Sequence, residues 1–94
     1  MPTKWNINYS QLPNYMQDAV RMYIEDGVIP GDFLRYIFQN DFVHAASHAD
    51  DHNRHLLFTY AGFLYMDAPS QCWGSAAKVK EWHKQGGLNG LKNT

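Results

Sequence analysis

Cysteine is nearly absent: the chain has one, Cys72. A single thiol closes no internal disulfide, so the fold has to hold by packing alone, and the lone thiol fits a reducing compartment. Long apolar runs are missing too. No stretch approaches the roughly 18 consecutive apolar residues of a membrane span, and the opening MPTKWNINYS has no apolar core of a secretion signal. Charge of one sign is also lacking. Eight Lys and Arg stand against nine Asp and Glu, a net of −1, which excludes both a polybasic nucleic-acid coat and a polyanionic nucleic-acid mimic. Neither G-x-x-x-x-G-K-S/T nor G-x-G-x-x-G occurs, so the usual phosphate-cradling loops are missing.

Aromatic residues are what the chain has in quantity: three Trp, six Tyr and five Phe among 94 residues. An apolar fraction of 45% excludes a disordered chain. At this length folding buries roughly 65% of the extended chain's surface, enough for one core and too little for two. Fourteen aromatic residues exceed what so small a core encloses, so some are expected on a surface patch.

Punctuation by Pro, Gly, Asp and Ser places the helices. Pro13 and Gly27 bracket a helix over Asn14–Asp26, whose apolar stripe is Met16, Ala19, Val20, Tyr23 and Ile24. Asp32 is the expected N-cap of a helix over Phe33–Gln39. Asn40-Asp41 reads as a stop followed by a new cap, starting a helix over Phe42–Ala49. Asp50 or Asp51 caps an expected long helix to about Met66, with Leu56, Leu57, Tyr60, Phe63 and Leu64 at helical spacing. Ala68-Pro69-Ser70 breaks it, Gln71–Gly74 is a loop, and Ser75 caps a last helix over Ala76–Gln85 that ends at Gly86-Gly87. The expected fold is all-α, a single small domain of four to five short helices. It divides into an extended N-terminal strap (1–11), a helical domain (12–86) and a flexible C-terminal tail (87–94).

Three groups of side chains are candidates for function. His44, His48, His52 and His55 recur every three or four residues, and an i, i+4 imidazole pair can chelate zinc. The capping signal at Asp50-Asp51 splits that row between two helices, and no H-E-x-x-H pattern or cysteine partner accompanies it. These four are therefore weak metal ligands, and no cofactor is expected. Cys72 with His83 offers a thiol and a base, yet no third orienting group or oxyanion hole accompanies them. Tyr65, Trp73 and Trp82, with the basic Lys78 and Lys80, are the better candidates for contact with a partner or ligand, because Trp and Tyr pair a large apolar body with a polar tip. Residues 1–77 carry a net of −4 and residues 78–94 a net of +3, an asymmetry that can steer the basic end onto an acidic body.

The phrases Leu12-Pro13-Asn14-Tyr15-Met16, Gly27-Val28-Ile29-Pro30-Gly31-Asp32-Phe33-Leu34 and Asn40-Asp41 form an ordered set with Ala49-Asp50 and Asn53. The set continues through Phe63-Leu64-Tyr65-Met66-Asp67-Ala68-Pro69, Cys72-Trp73-Gly74-Ser75, Val79, Trp82 and Gly86-Gly87-Leu88. Over roughly residues 12–91 the chain resembles a group of small proteins encoded by bacteriophages and prophages. The histidine row is not part of that pattern. The resemblance carries no catalytic or binding residue; it implies a place in the host cytoplasm and, by analogy with other small phage proteins, antagonism of host defence.

The expectation is a binding protein without catalytic activity, either occupying a host protein or sequestering a small signalling ligand, with homo-oligomer formation in view. Membrane is not an expected partner. Two other readings compete: a metal-binding module or small metal-dependent hydrolase on the histidine row, and a DNA-binding helix-turn-helix. The last is short of cations, since its two helices offer only Arg21 and Arg35, so nucleic acid is not an expected partner.

Overall fold

The computed structural model describes residues 5–92. The fold is all-α, one small domain of seven α-helices and one 3-10 turn. In chain order these are α1 (Asn14–Asp26), α2 (Asp32–Phe38), α3 (Phe42–His48), α4 (Asp51–His55), α5 (Leu57–Met66), the 3-10 turn Ser70–Cys72, α6 (Ala76–Gln85) and α7 (Gly87–Lys92). No strand forms among the described residues. Among the described residues no helix is long and apolar enough to cross a membrane.

Local chemistry accounts for most helix ends. Asp41 accepts from the His44 N–H at 3.2 Å and Asp50 from the Asn53 N–H at 2.7 Å, opening α3 and α4. Ser75 accepts from the Lys78 N–H at 3.1 Å and opens α6. Each of these bonds satisfies one of the orphan donors of a first turn. Asn40 adopts a left-handed conformation, φ 62°, which Asn tolerates, and so turns the chain from α2 into α3.

Three expectations need correction. Asp32 is the first residue of α2 rather than its cap: Gly31 holds the cap position without a side-chain bond, and the Asp32 carboxylate pairs with Arg35 at 3.2 Å instead. The expected long helix is two helices. Leu56 at φ −103°, ψ 11° separates α4 from α5, and its N–H bonds to Asn53 O three residues back. That tight turn surrounds Asn53, a buried polar side chain that accepts from the Tyr60 hydroxyl at 2.8 Å. The expected tail is helical through residue 92, so the Gly86-Gly87 pair turns the chain rather than ending it; residues 93 and 94 lie outside the described residues. Of the expected strap, residues 1–4 lie outside the described residues, Asn6 is left-handed, and Leu12 N–H closes a turn onto Tyr9 O. Among the described residues the one ion pair of the basic α6 is internal, Lys84 with Glu81 at 3.9 Å.

The core is contributed by nearly every element. Val20, Tyr23 and Ile24 come from α1, Phe33, Leu34, Ile37 and Phe38 from α2, Tyr60, Phe63 and Leu64 from α5, and Val79 and Trp82 from α6. Each such side chain contributes about 1.5–3 kcal/mol on leaving water. Buried hydroxyls are paired: Tyr23 donates to Cys72 O at 2.6 Å and Tyr9 to the Glu25 carboxylate at 2.9 Å. α7 is held by contact with α1 rather than by propensity. Gly27 and Gly87 meet backbone to backbone, so closely that a Cβ on Gly27 would lie 2.8 Å from Gly87 N. Leu88 packs on the core and Asn89 donates to Asp26 at 2.8 Å.

Candidate functional site

Among the described elements, α5 is the one whose sequence leaves it no polar face. Leu57-Phe58-Thr59-Tyr60-Ala61-Gly62-Phe63-Leu64-Tyr65-Met66 contains no charged residue in ten. A helix apolar all round belongs in an interior. Here only one side is enclosed: Tyr60, Phe63 and Leu64 face the core. On the opposite side Phe58 is 92% exposed, Tyr65 80% and Met66 74%. Phe58 and Tyr65 are two turns apart, with Ala61 and Gly62 between them, so they share one face. Nothing lies within 4 Å of where a Cβ on Gly62 would be.

α3 extends this surface. Its Val43 is 82% exposed, and Phe42 joins Leu57, Phe58 and Ala61 in lining an apolar cleft of about 330 Å³. The result is a projecting aromatic ring beside an apolar recess. Scattered single apolar side chains are ordinary on a protein surface, but a contiguous patch of them marks a contact site. A second cleft, about 250 Å³, lies between α1 and α2 among Met16, Ala19, Gly31, Asp32, Phe33 and Leu34.

Of the contact residues expected from the sequence, Tyr65 is on this face. Trp82 is not on any surface. It is 1% exposed, and its indole N–H is shared between Tyr23 O at 3.1 Å and Ile24 O at 3.2 Å, closing the last turn of α1. Trp73 is half-buried and packs against the core, and its indole nitrogen is buried without a partner among the described residues. Lys78 and Lys80 are exposed on α6; the Lys78 ammonium donates to Ser70 O at 3.2 Å, and its stem crosses Gly74.

The histidines do not converge. His44 Nδ1 donates to the Asp41 carboxylate at 2.7 Å, while the His44 and His48 rings both stack on Tyr36 with centroids 5.2 Å away. Amide and imidazole donation from His44 holds the Asp41 carboxyl below the usual carboxylate range. His52 lies beside the Tyr15 ring on a different helix, and His55 is exposed at the end of α4. Among the described residues no three His, Cys, Asp or Glu side chains gather closely enough to hold a metal.

Cys72 and His83 are likewise apart in role. The thiol is fully buried, and burial pushes its pKa up to about 12, the reverse of an activated nucleophile. His83 Nδ1 bonds to Gly27 O at 2.7 Å; a carbonyl only accepts, so Nδ1 carries the proton and the ring serves the end of α1. Phe58 and Met66 fall outside the apolar stripe of the expected long helix, and Val43 lies on α3, where no stripe is read. The available signal was the charge-free run itself. Comparison with protein-family models, with curated proteins and with solved structures found no match to this chain.

Proposed function

We propose that this chain is a non-catalytic binding protein whose contact surface is the outer face of α5 with the adjoining edge of α3. The observation that carries the reading is a charge-free ten-residue helix presenting Phe58, Tyr65 and Met66 to solvent beside an apolar recess. Exposed aromatic side chains flanking a recess are the usual anchors of protein interfaces. Its chemistry favours a protein over a signalling nucleotide, since phosphates need cations and backbone donors, and the face offers neither. The resemblance to phage-encoded proteins gives the partner a setting, a bacterial host cell, and defence antagonism a rationale.

Support for a reading without catalysis comes from the one thiol and the histidine weighed as its base. Cys72 is sealed in the core, and His83 is committed to a backbone carbonyl. The test uses wild type and Phe58→Asp as baits in a bacterial lysate. Phe58 makes no core contact to lose, so the substitution removes the surface and leaves the fold. A protein retained by wild type and absent with Phe58→Asp is the expected result. Equal retention by both baits would move the contact surface elsewhere.

A further inference from the structure

The outer face of α5 reads the same in both directions. About a point midway between Ala61 and Gly62, Phe58 is the counterpart of Tyr65 and Ala61 of Gly62, while Leu57, opposite the exposed Met66, is half-buried against the core. Large apolar residues stand at both ends and small ones at the centre. A two-fold interface demands this property, because in it one patch meets itself and residue i touches j while j touches i. Taking the α5 face as a contact surface, as proposed above, we infer that its occupant is a second copy of this chain, docked as an antiparallel α5–α5 pair.

Three observations fit a second copy on this face. The centre is open: Ala61 and Gly62 let two helix backbones approach, and nothing occupies the space above Gly62. Projection and recess lie side by side, Phe58 next to the cleft lined by Phe42, Leu57 and Ala61, so the patch carries both halves of a fit. Charge agrees as well. A charged patch on a two-fold axis faces its own sign, and this one carries no charge over ten residues.

A helix of ten residues spans about 15 Å, so the interface is at the small end of the usual range and the dimer should be concentration-dependent. Light scattering after size exclusion, over a concentration series, gives the mass. Wild type should rise from 10.9 kDa towards twice that value with concentration, while Gly62→Arg stays monomeric with wild-type helicity. Cysteine cross-linking gives the register. Ala61→Cys, close to the axis, should link to itself on mild oxidation, and Met66→Cys should not. Met66→Cys linking as readily as Ala61→Cys would overturn the antiparallel pair, and an undiminished Gly62→Arg dimer would overturn the site. A wild type that stays monomeric while Phe58-dependent capture of another protein holds overturns the dimer alone; loss of both overturns the binding surface itself.

Discussion

Trp82 reaches across from α6 to hold the end of α1, its single N–H shared by the carbonyls of Tyr23 and Ile24. Helix C-termini leave carbonyls unpaired, and a buried one without a donor is costly. Gly27 supplies its own N–H to Tyr23 O, so the Ile24 carbonyl depends most on the indole. Trp82→Phe keeps an aromatic ring but removes the donor, and should cost about 2 kcal/mol or more. Urea unfolding followed by circular dichroism measures it; a loss near zero would mean those carbonyls find other donors.

Trp73 makes the opposite case with the same residue type. Its indole nitrogen is buried and unpartnered among the described residues, so Trp73→Phe gives up no hydrogen bond. That substitution should stay within about 1 kcal/mol of wild type, while Trp73→Ala, which removes a ring packed on the core, should cost about 2–4 kcal/mol. Equal losses for the two would show that the nitrogen, not the ring, matters.

Gly27 ends α1 at φ 74° with Gly87 N pressed against the position a Cβ would take. Gly27→Ala combines left-handed strain with a backbone clash and should cost about 2 kcal/mol or more, loosening α7 from α1. Gly31→Ala, with open space and φ −63°, should cost less than about 1 kcal/mol. Amide exchange is the more specific readout: Gly27→Ala should raise exchange in Gly87–Lys92, and Gly31→Ala should not.

Cys72 gives the pH dependence. Burial pushes the thiol up to about 12 in the folded chain, against about 8.5 when unfolded. The unfolded chain therefore gives up the proton first. The contribution is whole below about pH 8.5 and declines as pH rises towards about 12. Stability should fall between about pH 8 and pH 10, and Cys72→Ala should flatten that fall. In native conditions a thiol reagent should react only as fast as the protein opens. Rapid labelling of the folded chain would contradict the burial.

How much of this was legible depended on where the determining contacts lie. Helix boundaries at Asp41, Asp50, Ser75 and Gly27 are local, fixed by a side chain and an amide a few residues away, and they stand in the sequence. The break at Leu56 is not local. It surrounds Asn53, whose buried amide is matched by the Tyr60 hydroxyl, and nothing in the apolar spacing announces that bond. α7 is the extreme case: Gly87-Leu88-Asn89-Gly90 is poor helix-forming sequence, overridden by packing against α1. The candidate surface was half legible. Tyr65 stood out as an aromatic near a loop, but Trp82 looked equally suited to contact and is a core residue, because burial is decided by which helix faces meet.

Oxidative footprinting of Met66 tests the contact surface most directly, with Met22 as the internal reference. Both are exposed in the isolated chain, Met66 at 74% on α5 and Met22 at 41% on α1. A contact surface on α5 predicts that Met66 oxidises readily in dilute protein and becomes protected as concentration rises or a partner is added, while Met22 keeps its rate. Met66 and Met22 oxidising at unchanged rates under every condition would contradict it.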